Sequence, residues 1–531
     1  MKNTTRGNII LAALGLLAAC VACEEEGGSG SPGGAGAAGA AGAMPEVGGA
    51  GGAGECSGVA GSCDPTGAII ITSAEDDYWQ LGQVTEVTSG DADVTVDDGA
   101  EAQTWEGFGG CFTELGWVYL SELSEDDQER AIELLFGSEG ARFTWGRIPI
   151  GGNDYVLSRY TLDDTGEDVV PNSTESNRPP PDLELSSFSI DRDLEHLIPY
   201  ITAAQAVNPD IRFWAIPWTP PVWMKTGYTG DADSGVILER PSYYDGGTMK
   251  DDEETLAAHA QYFVKFIEAY GEQGIDVELV APQGEPGYEM TYPSCYWDKG
   301  TYTNFIGRYL GPALDDAGLE TRIMLGSLDN GTDTSIVNAV LADPTATEYC
   351  AAAGVGYDMA SVSKVSAIKA AGIPVWIAEH KAGNYPWLPG YETTAPNDMA
   401  YAIESWGLIR DAITKLGVTV YNAWSMVLDE VGMNISAADP WAQNALLVAD
   451  SGELTVTPAY YVFRHFSRYV EPGAKVVGTS GGDAVAFKNP DGSHVVVAYN
   501  SGSATTMTVA IGEKRLQFSV PGNGFATLVT P

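Results

Sequence analysis

The chain has 531 residues, 44% of them hydrophobic, so it contains enough apolar side chains to bury a large core. Its 27 Lys and Arg stand against 73 Asp and Glu, a formal net charge of −46. A surface of this charge repels phosphate backbones and anionic lipid headgroups, which argues against nucleic-acid binding and electrostatic membrane docking. The composition favours neutral or cationic partners.

Residues 1–23 are typical of an export signal rather than of a folded element. A basic start precedes an apolar stretch at 9–17, which is too short to span a bilayer. The following Leu-Ala-Ala-Cys resembles a bacterial lipobox, with Cys20 as the lipidated residue and Cys23 as a second candidate. The alternative is a secretory signal cut near Ala22. We therefore predict an exported protein, held by lipid at the outer membrane or cell surface, or otherwise secreted.

Residues 24–67 are predicted to form a linker with a small cysteine loop. Positions 27–55 contain 13 Gly and 8 Ala, a composition that behaves as a flexible coil and builds no core. Near its end lie Cys56 and Cys63, and export into an oxidising compartment favours a disulfide between them.

Three more cysteines follow in the body of the chain. A bridge between Cys295 and Cys350 is possible, but their positions in the sequence do not establish it. Cys111 is then left over, and we expect a buried thiol there.

From residue 103 the chain alternates short apolar runs with amphipathic stretches, which is typical of parallel strands joined by helices. The eight runs are 103–109, 144–150, 211–217, 276–282, 322–326, 355–360, 374–378 and 418–423. Between the first two, Ser124 and Asp127 predict a capped helix start, and Gly137 predicts the helix end. Eight strands are what a (β/α)8 barrel requires, so we predict an α/β fold with a TIM barrel over 103–470.

The two flanks, 68–102 and 471–531, show short alternating strands separated by turn residues, which is typical of antiparallel sheet. We expect both chain ends to build one side β-sandwich beside the barrel.

Two glutamates follow barrel runs, at the end where such barrels carry their chemistry. Glu285 follows the fourth run and Glu379 the seventh. Hydrolysis of a glycosidic bond with retention needs two carboxyl groups about 5 to 5.5 Å apart, one as acid and one as nucleophile. Alternatively, both are solvated loop acids among 73 acidic residues. Aromatic residues on which sugar rings stack crowd the same strand ends: Trp214, Trp218, Trp223, Trp387 and Trp424.

Seven colinear blocks resemble glycoside hydrolase family 30. They are GFGGCFT at 107–113, RIPIG at 147–151, PWTPPVWMK at 217–225, YFVKF at 262–266, QGEP at 283–286, WSMVLD at 424–429 and HFSRYVEPG at 465–473. The family includes glucosylceramidases and β-1,6-glucanases, and the resemblance implies a (β/α)8 barrel with a side sandwich made from both chain ends.

The resemblance also implies roles for particular residues. It makes Glu285 the general acid/base and Glu379 the nucleophile, with Arg147 supporting the nucleophile electrostatically. Three further residues match the substrate-binding pocket of the family: Asp154, Trp218 and Trp424. Trp214 and Trp223 are interpreted as packing residues.

One position departs from the family pattern. Members normally place Asn before the acid/base, where its amide bonds the sugar 2-hydroxyl, but this chain has Gly284. The prediction is a monomeric retaining β-glycosidase acting on β-linked glucosides, either β-1,6-glucan or a glycolipid of the glucosylceramide type. The alternatives are another glycone, such as xylose, galactose or fucose, or a glycan-binding protein with reduced catalysis. We expect no cofactor and no metal, since the five His show no ligand spacing.

Overall fold

The computed structural model describes residues 66–164, 180–226, 244–329, 333–356, 359–386, 389–436 and 440–531. The expected signal, almost all of the linker, and Cys20, Cys56 and Cys63 lie outside these ranges. Within them, no helix combines the length and the apolar character that crossing a membrane requires.

The described elements are 23 strands and 11 α-helices. The strands are β1 (Ile69–Ala74), β2 (Asp77–Leu81), β3 (Thr85–Glu86), β4 (Val94–Thr104), β5 (Gly107–Cys111), β6 (Trp145–Pro149), β7 (Arg212–Ile216), β8 (Lys225–Thr226), β9 (Thr248–Met249), β10 (Val277–Val280), β11 (Arg322–Leu328), β12 (Cys350–Val355), β13 (Val375–Ile377), β14 (Val420–Ser425), β15 (Val427–Leu428), β16 (Leu447–Asp450), β17 (Glu453–Val456), β18 (Lys475–Gly481), β19 (Asp483–Lys488), β20 (His494–Asn500), β21 (Thr505–Ile511), β22 (Lys514–Val520) and β23 (Gly524–Thr530). The helices are α1 (Glu114–Ser121), α2 (Glu125–Phe136), α3 (Leu197–Val207), α4 (Glu253–Glu272), α5 (Lys299–Asn304), α6 (Gly311–Asp316), α7 (Asp333–Ala342), α8 (Pro344–Tyr349), α9 (Val362–Ala370), α10 (Met399–Asp411) and α11 (Pro458–Ser467).

Eight parallel strands close a barrel in chain order: β5, β6, β7, β10, β11, β12, β13 and β14. We call them barrel strands 1 to 8. The barrel closes where strand 8 pairs with strand 1, with Val420 opposite Gly107. Strand 1 is rich in glycine because its neighbours lie very close: a Cβ on Gly109 would lie 2.3 Å from the Trp145 carbonyl oxygen. The predicted (β/α)8 barrel is confirmed.

The helix start and helix end predicted between the first two barrel strands are both present in the structure. The Ser124 side chain accepts a hydrogen bond from the backbone N–H of Asp127 at 3.2 Å and caps α2. The helix ends at Phe136, and Gly137 is its C-cap. Its buried face includes Ala131, Leu134 and Leu135, so the cap and the apolar spacing act on the same segment.

Two strand predictions need correction. The sixth barrel strand occupies Cys350–Val355, not 355–360, because Asp343 caps α8 and that helix leads directly into Cys350. The strand consists largely of Ala and Gly, so it lacks the bulky residues that indicate strands. The run 103–109 contains two strands, since β4 ends at Thr104 and β5 begins at Gly107. Trp105, fully buried between them, marks the passage from sandwich to barrel.

Ten of the fifteen strands outside the barrel form one sheet, in the order β2-β1-β23-β20-β19-β18-β4-β21-β22-β3. Strands from both chain ends alternate in it: β1 pairs with β23, and β4 pairs with β18. Apolar side chains from β1, β20, β23, β4, β21 and β22 share one core cluster, so the sheet packs against itself as a sandwich. The side β-sandwich built from both ends is confirmed.

The cysteine bridge considered between Cys295 and Cys350 does not form. Both residues are buried thiols in the structure, as is Cys111. The Cys350 thiol donates to the Ala346 carbonyl at 3.4 Å, and the Cys295 thiol donates to the Tyr296 carbonyl at 3.6 Å. Burial, not cross-linking, therefore accounts for these three residues.

Candidate active site

The two glutamates lie where barrel strands 4 and 7 end. Glu379 follows strand 7 by two residues, and its side chain is 20% exposed. Glu285 follows strand 4 by five residues and is half-buried. The charge of Glu285 acts on Glu379, which places both carboxyl groups in one site at the barrel mouth.

Arg147, in strand 2, holds the Glu379 carboxylate. Its Nη1 donates to Glu379 Oε2 at 2.7 Å and to the Ala378 carbonyl at 3.3 Å. The Arg147 side chain is only 1% exposed, so the cation of this ion pair is shielded from water, whereas Glu379 keeps partial exposure. A charge-assisted contact of this kind favours the ionised form of Glu379.

Three indole rings surround the Arg147 guanidinium. Its Cζ lies 4.4 Å from the ring centroid of Trp218, 4.9 Å from that of Trp424 and 5.1 Å from that of Trp214. Trp218 and Trp424 stack with centroids 5.3 Å apart, and the Trp424 Nε1 donates to Gln443 at 2.7 Å. Both rings are therefore fixed next to the carboxylates.

Two of the other tryptophans considered from the sequence are packing residues, and Trp214 is the one of them that contacts Arg147. Trp214 and Trp223 are 0% and 1% exposed and fill the core, while Trp387 lies outside the described residues.

The backbone at Glu285 adopts an uncommon conformation. Its φ is +48°, in the left-handed region that side chains other than Gly rarely occupy. Several contacts hold it there: its N–H donates to the Ser327 carbonyl at 2.9 Å, and the Tyr292 hydroxyl donates to its Oε2 at 2.8 Å. The side chain of Asp329 also acts on its carboxyl group and lowers its pKa. The orientation of Glu285 is thus determined on both its main chain and its side chain.

The environments of the two carboxyl groups differ. Burial raises the pKa of Glu379, and the Arg147 cation opposes that rise. Burial also raises the pKa of Glu285, opposed by hydrogen bonds from Asp329 and Tyr292. Of the two, Glu379 is the group with a cation in direct contact, and that contact favours its ionised form.

Asp154, after strand 2, adds a third buried carboxyl group. It is 4% exposed, and burial raises its pKa well above the usual range, with the charge of Glu379 acting in the same direction. Its main chain is fixed by the Ile435 N–H, which donates to the Asp154 carbonyl at 2.7 Å. Its Oδ1 has no hydrogen-bond partner among the residues described. A buried polar atom in this state is suited to a ligand hydroxyl.

Gly284 leaves space beside the acidic pair. A Cβ added there would lie 3.6 Å from the Pro217 carbonyl oxygen, 3.8 Å from Ile216 and 4.0 Å from Trp218, which are ordinary contact distances. The absence of a side chain at this position is therefore not imposed by crowding.

His380, next to Glu379, faces away from the site. Its Nδ1 lies 2.6 Å from the Tyr421 hydroxyl and its Nε2 lies 3.1 Å from the Ser405 hydroxyl. Burial lowers its pKa to about 3, so the ring is neutral near pH 7. Consecutive residues point to opposite faces, and His380 belongs to the packing behind strand 7.

Loops from four barrel strands are joined across the rim of the site. Thr291, after strand 4, shares a hydrogen bond of 2.8 Å with Ser436, after strand 8. Arg159, after strand 2, donates to the Thr291 carbonyl at 3.2 Å and to Asp245, after strand 3, at 2.7 Å. Hydrogen bonds between loops restrict the movement of these loops relative to one another.

The structure thus brings Glu285, Glu379, Arg147, Asp154, Trp218 and Trp424 together. Sequence reasoning missed Tyr292 and Asp329. Asp329 is the first residue after strand 5, so a search of every strand end for acids finds it. Tyr292 lies within a loop, and no sequence signal marks it. Among the described ranges, no three His, Cys, Asp or Glu side chains are grouped as metal ligands.

Comparison with known proteins agrees with this architecture. Residues 105–371 match the glycosyl hydrolase family 30 TIM-barrel domain, and 473–528 match the family 30 beta sandwich domain. The chain is 28% identical to putative glucosylceramidase 4 of Caenorhabditis elegans over 429 residues, 77% of this chain and 76% of the relative. It is 26% identical to endo-1,6-beta-D-glucanase neg1 of Aspergillus fumigatus over 468 residues, 82% of this chain and 88% of the relative.

Among solved structures, SrfJ from Salmonella typhimurium superimposes with a TM-score of 0.71 at 23% identity, covering 87% of this chain and 99% of that one. The two proteins therefore share their fold over most of this chain and nearly all of SrfJ. On the domain matches and the extent of these similarities, the chain belongs to glycosyl hydrolase family 30 and is a glycoside hydrolase.

Proposed function

We propose that the protein is a retaining β-glycosidase that hydrolyses β-linked glucosides, with Glu379 as nucleophile and Glu285 as general acid/base. The observation that carries the proposal is the asymmetry of the two carboxyl groups. Glu379 has the buried Arg147 cation at 2.7 Å, whereas Glu285 accepts a hydrogen bond from the Tyr292 hydroxyl and its pKa is raised mainly by burial. One group is held ionised and the other keeps a proton, which is the division of roles that double displacement needs.

In the first step an ionised Glu379 oxygen attacks the anomeric carbon while the bond from that carbon to the glycosidic oxygen breaks. The proton on Glu285 passes to the departing oxygen, so the leaving group leaves as a neutral alcohol. The sugar remains attached to Glu379 as an ester. Arg147 stabilises the carboxylate before the attack and as it is released again.

In the second step water replaces the leaving group. The Glu285 carboxylate takes a proton from water while the water oxygen bonds to the anomeric carbon, and the Glu379 ester bond breaks. The product keeps the β configuration, and both glutamates return to their starting protonation states.

Substrate choice is proposed from the pocket and the relatives. Trp218 and Trp424 offer apolar ring surface beside the carboxyl groups, and Asp154 offers an acceptor to a sugar hydroxyl. The two relatives are named a putative glucosylceramidase and an endo-1,6-beta-D-glucanase, and both names refer to glucose units. We therefore propose β-1,6-glucan or a glucosylceramide-type glycolipid as the substrate.

Sugar release from β-1,6-glucan and glucosylceramide, and turnover of aryl β-glucosides, test the proposal with the full chain. Glu379→Gln is expected to abolish turnover of every substrate. Glu285→Gln is expected to lose about 10²-fold or more on poor leaving groups and much less on 2,4-dinitrophenyl glucoside, which needs no proton. Glu404→Gln is the matched control, since Glu404 is 42% exposed and pairs with Lys381 outside the pocket. Full activity of Glu379→Gln would refute the assignment.

Proton NMR of the first-formed sugar tests retention. A β-anomer that later mutarotates supports double displacement, and an α-anomer contradicts it. If the wild type cleaves only aryl xylosides, galactosides or fucosides, the glycone assignment is wrong. If it binds glucan by calorimetry without turnover, Gly284 marks a glycan-binding protein with reduced catalysis.

We also propose export with a lipid anchor on Cys20, outside the described residues. The support is the sequence pattern alone. Membrane fractionation of cells making Cys20→Ser should find the protein in the soluble fraction, and continued membrane retention would contradict the anchor.

A further inference from the structure

The loop after strand 4 brings Tyr292 back to Glu285, which lies seven residues earlier in the chain. The Tyr292 hydroxyl donates to Glu285 Oε2 at 2.8 Å. The next residue is Pro293, and a proline favours extended backbone in the residue before it. The Tyr292 ring is partly buried and packs against the cluster that contains Trp218 and Trp424. The pocket wall therefore holds this hydroxyl on one defined oxygen of the carboxyl group.

Side chains fix this loop on both sides of Tyr292, although residues 281–298 contain no helix and no strand. Before it, the Thr291 hydroxyl shares a hydrogen bond of 2.8 Å with the Ser436 hydroxyl, after strand 8. After it, the Ser294 hydroxyl accepts from the Gly246 N–H at 2.9 Å. The loop is thus joined to the segments that follow strands 3 and 8, and Tyr292 lies between these two attachments.

A buried lysine adds to the second attachment. Lys225 is 1% exposed, and its Nζ donates to the carbonyls of Ser294, Gly246 and Tyr244 at 3.2, 2.7 and 2.9 Å. Burial of a cation costs free energy unless its donors find acceptors, and these carbonyls supply them. The buried cation therefore joins the loop after strand 4 to the segment after strand 3.

The contact with Tyr292 distinguishes the two oxygens of Glu285. The carbonyl oxygen of a carboxylic acid is the better acceptor of its two oxygens, so a donor on Oε2 favours a proton on Oε1. When that proton leaves, the same hydroxyl faces a carboxylate, and the hydrogen bond becomes about twice as strong. An interaction that strengthens as the proton moves lowers the barrier to proton donation.

Several other groups act on Glu285 or are acted on by it, and they come from strands 2, 4, 5 and 7 and the segments that follow these strands. They are Arg147, Asp154, Tyr292, Asp329, Asp333 and Glu379. The hydrogen bond from Tyr292 favours the ionised form of Glu285 and lowers its pKa, against the larger effect of burial.

We propose that Tyr292 is a positioning residue for the acid/base: its hydroxyl holds Glu285 Oε2, directs Oε1 and its proton to the glycosidic oxygen, and stabilises the carboxylate that proton transfer leaves. The inference rests on the proposed function, which assigns Glu285 its role. In the first step the bond from Oε1 to its proton breaks as the leaving oxygen gains that proton, and Tyr292 keeps its own. In the second step Oε1 takes a proton from water while Tyr292 still occupies Oε2.

Tyr292→Phe tests the proposal because it keeps the ring and removes the hydroxyl. On the pH plateau, kcat/KM should fall about tenfold or more on phenyl β-glucoside and little on 2,4-dinitrophenyl β-glucoside, which needs no proton. The basic limb of the kcat/KM profile should move to higher pH by about one unit, because the donor that favours the carboxylate is gone. An unmoved basic limb, or equal losses on the two substrates, would overturn the proposal.

Tyr349→Phe is the matched control. Its hydroxyl also donates to a carboxylate, that of Asp315, at 2.8 Å, but in an exposed contact. Tyr349 lies immediately before strand 6 begins, at the end of the barrel opposite the site. This variant is expected to match wild type on both substrates and in its pH profile.

A second measurement does not depend on turnover. Protein labelled with ¹³C at glutamate carboxyl groups is titrated by NMR, and the Glu285 signal is identified by its loss in Glu285→Gln. The Glu285 midpoint is expected to be higher in Tyr292→Phe than in wild type, and equal midpoints would overturn the proposal. If wild type cleaves no aryl glucoside and the midpoint still rises, the effect of Tyr292 on Glu285 is supported and the proposed substrate fails.

Discussion

Arg147 offers the sharpest test of how the site distributes charge. Arg147→Met keeps a long apolar side chain among the three indole rings and removes the cation from Glu379. Two charges whose centres are about 4 Å apart interact by about 4 kcal/mol at an effective dielectric of about 20. Glu379 is 20% exposed, so we reduce this to about 3 kcal/mol, which corresponds to about two pKa units. The arginine stabilises the ionised form, so its removal raises the pKa of Glu379.

The nucleophile acts only when ionised, so the acid limb of the kcat/KM profile should move to higher pH by about two units. The assay is aryl β-glucoside hydrolysis across the acidic range, with circular dichroism to confirm folding. Arg308→Met is the matched control, because Arg308 is 53% exposed and its pair with Asp343 is a surface contact. A folded Arg147→Met with an acid limb like that of wild type would refute the electrostatic role.

Three further predictions concern other parts of the barrel. Gly284→Asn is expected to raise kcat/KM on β-glucosides by about tenfold or more, since a Cβ there makes only ordinary contacts and the amide that the family places at this position bonds the sugar 2-hydroxyl. A fall in kcat/KM would indicate a pocket built for another sugar. His259 is fully buried, and burial lowers its pKa to about 3. Below about pH 6.5 the His259 side chain binds a proton in the unfolded chain but not in the folded one, so the free energy of unfolding falls as the pH drops. Urea unfolding of His259→Phe at pH 7 and pH 5 should show a weaker pH dependence than wild type, by about 1.4 kcal/mol per pH unit, and an identical dependence would contradict this. Lys225 is 1% exposed and donates to the Thr219 hydroxyl at 2.6 Å and to the Gly246 carbonyl at 2.7 Å. Lys225→Met should therefore lower the free energy of unfolding by about 3 kcal/mol, measured by urea unfolding. An unchanged free energy of unfolding would show that these hydrogen bonds do not stabilise the fold.

The sequence predicted well those features that depend on neighbouring residues. The cap at Ser124 and the stop at Gly137 act over a few residues, and the structure has both. Strand 6 was misplaced because its Ala and Gly residues carry no strand signal, and barrel closure alone holds them extended. In that strand, hydrogen bonding to the neighbouring strands determines the conformation more than the strand propensity of its residues does.

The active site likewise has features that the sequence predicted and features that depend on the tertiary structure. The sequence alone determined which residues follow the barrel strands, and so it singled out Glu285 and Glu379, because strand ends meet at one face of the barrel. The family resemblance implied that Arg147 supports Glu379, but only the tertiary structure gave the contact between them and the contact between Tyr292 and Glu285. The first contact joins two separate strands, and neither contact is marked by a local sequence pattern. Their strength depends on burial, which exists only once the barrel has closed.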